Sequence, residues 1–154
     1  MSETIETSLP ENMQKYYNYK EQMGRLKKAI GAGFYLEAIF IEYAVIEDRL
    51  KAVLEITGVY DEKKHYNITD RMKDVAKLAR KKEYAVGRYL SPEMKGEWMS
   101  WKKGRDNLMH HLMYQDMTTE QLHTLAVQGH EIAKVLNSKV TSYRRYMERQ
   151  AEKK

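Results

Sequence analysis

The stretch from Phe34 to Thr57, FYLEAIFIEYAVIEDRLKAVLEIT, limits what this chain can fold into more than any other. Between Ala38 and Ile46 its apolar residues fall on nearly all sides of a helix, too many for a single stripe. Such a helix is stable in water only when other elements surround it, so it is central to a bundle or lies in a dimer seam. Gly31-Ala32-Gly33 before it and Gly58 after it supply a turn and a stop. Glu42 disagrees with its surroundings. It stands at helical spacing among Ala38, Ile39, Val45 and Ile46, where a carboxylate needs a partner. The partner is structural if it is Arg49 or a tyrosine hydroxyl. It is functional if Glu42 steadies Arg105 or a histidine of the site stretch below. The neighbouring Glu47-Asp48-Arg49 reads as a solvated edge.

Two prolines, at 10 and 92, leave long uninterrupted runs for other helices. A first helix opens at Pro10-Glu11 and runs to about Ile30, with Met13, Tyr16, Tyr17, Met23, Leu26 and Ile30 on its buried face. Residues 59–67 form a polar connector that leaves His65 exposed and inert. A third helix is expected over about 70–88, capped by Thr69 or Asp70. Met72, Val75, Ala76 and Ala79 face inward, and Lys73, Lys77, Arg80 and Lys81 outward. Ser91 as cap and Pro92 at the first position start a fourth helix that reaches about Tyr114. After a break at Asp116, Thr118-Thr-Glu-Gln caps a last helix running to about Arg149, with Leu125, Ile132, Leu136, Val140 and Tyr143 inward. Residues 1–10 read as a flexible N-terminus and 151–154 as a charged tail. No β-type alternation and no repeat occurs. The expected fold is all-α, an up-and-down bundle of about five helices forming one domain over 11–150.

A chain of 154 residues is long enough for one real core. No apolar run approaches the ~18–20 residues of a membrane span. The opening MSETIETSLPENMQ lacks the basic-then-apolar order of a signal peptide. With no cysteine there are no disulfides and no thiolate chemistry. A soluble cytoplasmic protein without membrane partners is the expectation. Charge is uneven: residues 1–62 hold seven Lys/Arg against eleven Asp/Glu (−4), and residues 71–105 hold eleven against four (+7). The second block is either a solvated helix face or a footprint for a phosphate backbone, with Lys77, Arg80, Lys81, Lys102 and Lys103 as its contacts. Twelve tyrosines against two phenylalanines fit half-buried seams, where a ring packs and a hydroxyl stays wet.

At the end of that basic block lies WMSWKKGRDNLMHHLMY, residues 98–114. On a straight helix its apolar stripe is Met94, Trp98, Trp101, Leu108 and Leu112, and Arg105 falls in the middle of it. His110 lies roughly 140° round from Arg105, so one straight helix does not bring the two side chains together. Either Gly104 breaks the helix, or Arg105 and His110 flank a cleft that a second subunit completes. Metal chemistry is poorly served. The histidines at 65, 110, 111, 123 and 130 include no i, i+4 pair, and the chain has no His-Glu-x-x-His or EF-hand loop. The scattered glycines form no phosphate loop. No metal or cofactor is expected.

Arg105-Asp106-Asn107-Leu108-Met109-His110, with a polar residue directly after the Arg, resembles the R-x4–6-H signature of HEPN domains. These are small helical domains that usually dimerise, and many are metal-independent endoribonucleases serving as toxins or defence effectors. The resemblance implies an HEPN-like homodimer cleaving single-stranded RNA through its own 2′-hydroxyl. A cognate antitoxin or sensor protein would be a further partner. It gives Arg105 the phosphate, His110 the proton transfer, and Asp106 the orienting of Arg or RNA. His111 fits the motif at x5 spacing, so both neighbours remain candidates. The branch with Tyr two residues after the His has no counterpart here, since Leu112 stands there. The chemistry is coherent. An imidazole can take the 2′-OH proton or give one to the leaving 5′-oxygen, and a guanidinium can hold the phosphate bidentately. The other reading is a non-catalytic helical dimer that binds RNA or a partner protein.

Overall fold

The computed structural model describes residues 11–114 and 117–153. The expectations for residues 1–10, Asp116 and Lys154 lie outside the described residues. These form five α-helices: α1 (Glu11–Gly31), α2 (Tyr35–Ile56), α3 (Ile68–Ala79), α4 (Met94–His111) and α5 (Thr119–Glu152). There is no strand among them. Among the described residues, no helix is long and apolar enough to cross a membrane.

Local chemistry sets the boundaries. At the start of α5 the Thr118 hydroxyl accepts from the Gln121 N–H at 3.1 Å, and the Gln121 side chain accepts from the Thr118 N–H at 3.0 Å. That reciprocal pair closes two orphan donors, as the sequence implied. On α3 the cap is Asn67, accepting from the Asp70 N–H at 2.9 Å, instead of Thr69 or Asp70. Before α4, residues 91–96 make i to i+3 bonds, among them Met94 N–H to Ser91 C=O at 3.1 Å, so the regular helix starts at Met94. At the far end α5 stays helical through Glu152, past the point where a charged tail was expected.

The helix expected over 70–88 is divided. α3 ends at Ala79, and single 3-10 turns follow at Lys82–Tyr84 and Val86–Arg88. Ala85 between them is left-handed, with φ 57°. The turns fold back on the helix end: a Cβ on Gly87 would stand 2.4 Å from the Ala79 carbonyl oxygen. An uninterrupted helix cannot make that approach.

α2 is the central element, packed on α1, α3 and α5. Its direction relative to α5 breaks the up-and-down order. Tyr35 meets His123, with ring centroids 5.2 Å apart, and seven residues further along Glu42 meets Gly129. The two helices therefore run parallel, where strict alternation would oppose them. The alternation fails between α2 and α4, where a twelve-residue helix and two turns replace one long pass. α4 is antiparallel to α5, with Trp101 at Gly129 and Gly104 at Leu125.

Three sequence expectations are overturned by long-range packing. On α1, Met13, Tyr16 and Tyr17 are exposed, and the buried face is Leu26 and Ala29 with Tyr19 and Met23 against it. Arg49 belongs to no solvated edge: it is 5% exposed. His65 is buried and bonded on both ring nitrogens. Nδ1 accepts from the Asp61 N–H at 3.0 Å, which leaves Nε2 to donate to Asp74 at 2.7 Å. The His65 carbonyl accepts from Arg71 Nε at 2.8 Å, and Arg71 Nη1 reaches the Glu47 carbonyl at 3.1 Å. These bonds pin the 57–67 connector to α3 and α2.

The junction of α2, α4 and α5 is the tightest place in the core. Glu42 and Trp101 are both 0% exposed. A Cβ on Gly129 would lie 1.9 Å from Glu42 Oε1 and 2.4 Å from Trp101 Nε1. Burial pushes the Glu42 carboxyl from an ordinary 4.5 up to about 9, and the facing Trp101 N–H offsets only part of this. The native state therefore holds Glu42 protonated at neutral pH, while the unfolded chain ionises it. Stability must then fall as pH rises from the lower value toward the upper, by up to about 1.4 kcal/mol per pH unit. Glu42→Gln is expected to remove most of that slope in thermal melts between about pH 6 and 9. Gly129→Ala should destabilise by about 1–3 kcal/mol or more in urea titrations, because neither neighbour is a free side-chain end.

Candidate functional site

α4 runs unbroken through Gly104, so the first of the two sequence-stated resolutions for Arg105 fails. Gly104 serves a different end. Its missing Cβ would stand 2.9 Å from Leu125 Cδ1, and the glycine lets α4 lie close on α5. Trp98, Trp101 and Leu108 of the expected stripe are buried, and Met94 packs against the core. Leu112 does not follow them; it is exposed, just past the helix end.

Arg105, in the middle of that stripe, is half-buried without entering the core. Its guanidinium lies over the Tyr43 ring, 4.2 Å from the centroid, and Nη1 meets Asp106 at 3.3 Å. A planar, weakly hydrated cation can rest on an aromatic face where an ammonium would hold its water. Its side chain remains 28% exposed. Tyr43 was not singled out from the sequence; the signal available was a tyrosine beside Glu42 on a helix otherwise rich in aliphatics.

Asp106 accepts from Lys102 at 2.6 Å as well as from Arg105. Burial raises its carboxyl, but the Lys102 and Arg105 contacts outweigh that and hold it below its ordinary value. Lys102 is thus committed to an i, i+4 pair and is half-buried, while Lys103 is exposed. Lys77, Arg80 and Lys81 are exposed at the end of α3. Arg80 and Lys81 line a cleft of about 440 Å³ together with Lys82 and Arg88, two cations the sequence reading had only counted. Lys102 and Lys103 border a separate hollow of about 630 Å³ with Asp106 and Asn107. The basic block is therefore two surfaces.

His110 is exposed and His111 half-buried, both in the last turn of α4. Neither side chain makes a hydrogen bond or ring contact among the described residues. Because the helix is continuous, His110 stays about 140° round from Arg105, and one chain does not converge them. Glu42 holds neither Arg105 nor a histidine. It also fails to pair with Arg49, whose carboxylate partner is Asp48 at 2.9 Å. The carboxyl sits behind Tyr43 in the helix junction, a core group that supports α4 through Trp101.

Among the described residues, no group of three or more His, Asp or Glu is placed to hold a metal ion. Compared with known proteins, the chain matches no family model, no curated protein and no solved structure.

Proposed function

We propose that this chain is a metal-independent endoribonuclease of HEPN type, working as a homodimer on single-stranded RNA in the setting of a toxin or phage-defence effector. The observation that carries the reading is Arg105. Held between the Tyr43 ring and Asp106, it is fixed in place yet open to a phosphate, with two unbonded histidines following on the same helix end. A guanidinium so restrained loses little entropy on binding a phosphodiester, and it can stabilise the charge that builds on the phosphoryl oxygens. His110 supplies the proton transfer, with His111 as its competitor for that role.

Arg105 and His110 of one chain point apart, so the proposal needs a second copy. α2 itself is largely covered by its own chain, which narrows the expected seam. What remains uncovered is Leu36 at 47% and Phe40 at 76% exposed, with Met109 at 57% and Met113 at 86% near the end of α4. α4 runs opposite to α2, so these residues gather at one end of the bundle, the end that carries Arg105 and His110. A two-fold axis there would bury them and set Arg105 of one copy toward His110 of the other. Lys103, exposed on α4, would draw RNA toward that end, and Arg80 and Lys81, which lie toward the Tyr143–Tyr146 end of α5, would hold the strand further along the bundle. A cognate antitoxin or sensor protein would restrain such an enzyme.

Incubation with mixed RNA in EDTA is expected to give fragments ending in 2′,3′-cyclic phosphate and 5′-hydroxyl. Arg105→Ala and His110→Ala should each lower the rate by about 10²–10⁴ with the fold intact, and Arg105→Lys should not rescue. His111→Ala should cost much less. The reverse order of the two histidine variants would move the assignment to the x5 position. Absence of cleavage by purified protein anywhere between about pH 6 and 9 would leave the non-catalytic RNA- or protein-binding module.

The dimer is tested separately. Light scattering at tens of micromolar should give twice the chain mass, and Phe40→Glu should give a folded monomer. A monomeric wild type would end the shared-site geometry.

A further inference from the structure

A further cationic site lies away from α4, where α1 passes over α5. A cleft of about 530 Å³ opens there, a size that suits a small-molecule ligand. Its lining includes five cations from three helices: Lys15 and Lys20 of α1, Arg49 of α2, and Arg144 and Arg145 of α5. No carboxylate is among its described lining residues. The one beside it, Asp48, takes Lys15 at 3.2 Å, Arg49 at 2.9 Å and the Tyr19 hydroxyl. Lys20, Arg144 and Arg145 enter no ion pair among the described residues.

Arg49 marks this as a built site and not a chance cluster. It is 5% exposed, its guanidinium lies over the Tyr19 ring at 4.2 Å, and its Nε–H has no acceptor. A buried guanidinium with an unmet donor is costly, and the group that would relieve it is an anion. Contrast Arg71, equally buried, whose Nε and Nη1 both reach carbonyl oxygens. Asp48 and a single phosphate together would still leave about two of the five positive charges unmet, while two neighbouring phosphates match the number and spread of the cations. On the rim, Tyr16 is 62% exposed and offers a ring face to a planar group.

We infer that the cleft between α1 and α5, floored by Arg49, binds a small ligand carrying a diphosphate or two neighbouring phosphates. Nothing in this inference depends on RNA cleavage, and the site shares no residue with Arg105, Asp106 or the histidines.

Isothermal titration of the full chain at low salt tests it, with inorganic pyrophosphate and ADP as probes and orthophosphate and adenosine beside them. Pyrophosphate and ADP are expected to bind roughly tenfold or more tighter than orthophosphate, with adenosine weakest. The double variant Arg144→Ser/Arg145→Ser changes only partly or fully exposed side chains, and should weaken both probes by roughly tenfold or more. Lys139→Ser, exposed on α5 outside the cleft, should bind as wild type. Arg49→Met should abolish binding wherever circular dichroism shows it folded, and the double variant decides the matter if it is not. The inference is overturned if neither probe binds at millimolar concentration, or if the double variant binds as wild type. It is equally overturned if single-stranded RNA loses affinity in the double variant while pyrophosphate and ADP never bind, since the cleft would then be part of an RNA track.

Discussion

The junction at which Glu42, Trp101 and Gly129 meet sets the geometry of everything around it. A glycine on α5 lets a carboxyl from α2 and an indole from α4 press against the α5 backbone. Tyr43, the next residue after Glu42, is thereby turned toward α4, with its ring 6.2 Å from that of Trp101 and 4.2 Å below Arg105. The position of the proposed catalytic guanidinium follows from a packing event one residue away. A neutral carboxylic acid suits this place better than an ionised one, because burial outweighs the single indole donor facing it. The cost is a core whose stability declines toward alkaline pH. Neither carboxyl oxygen has a hydrogen-bond partner among the described residues, so packing is what holds this group where the three helices meet.

What could be read in the sequence was the part fixed by neighbours in the chain. The Thr118–Gln121 cap, the inward face of α5, and the central place of α2 all rest on spacing within a few turns, and the all-α class follows from them. What could not be read was set by residues far apart. His65 looks like an exposed loop histidine until Asp74, Arg71 and the Asp61 N–H close around it. Glu47-Asp48-Arg49 looks like a solvated edge until α1 brings Tyr19 and Lys15 over it. The division of the expected 70–88 helix depends on Ala85 in a left-handed conformation, which an alanine seldom signals. At the candidate site, the motif residues were legible but their setting was not. Tyr43 approaches Arg105 from sixty-two positions away, and Gly104, for which a helix break was one of two readings, is a close contact.

Charge shows the same division. Counting along the chain finds the basic block at 71–105, because those cations are consecutive. It misses the cleft over Arg49, whose cations lie at 15, 20, 49, 144 and 145, three in the acidic first part of the chain and two far along α5. In the fold the consecutive block splits into two hollows, one of them partly neutralised by Asp106. The scattered cations converge on one space. A linear charge run reports what a helix shows to solvent; a site depends on what several helices show to each other.

Four of the twelve tyrosines stand beside arginines. Arg49 lies over Tyr19, Arg71 near Tyr60, Arg88 over Tyr146 and Arg105 over Tyr43. In each case a ring lets a guanidinium leave part of its water, whether or not a carboxylate stands beside it. The four differ in what remains unmet. Arg71 bonds backbone carbonyls and has a structural task complete in itself, holding the connector to α2 and α3. Arg88 donates to the Tyr146 hydroxyl at the surface, at 3.2 Å. Arg105 has one lateral carboxylate and an open side, and Arg49 is buried with a donor that nothing accepts. A guanidinium offers five donors in a rigid fork, so the count of those satisfied separates an arginine that holds the fold from one that waits for an anion. Among these four arginines, Arg105 and Arg49 are the two withdrawn from open solvent whose donors the fold leaves partly unused. They stand on separate elements and can be tested separately.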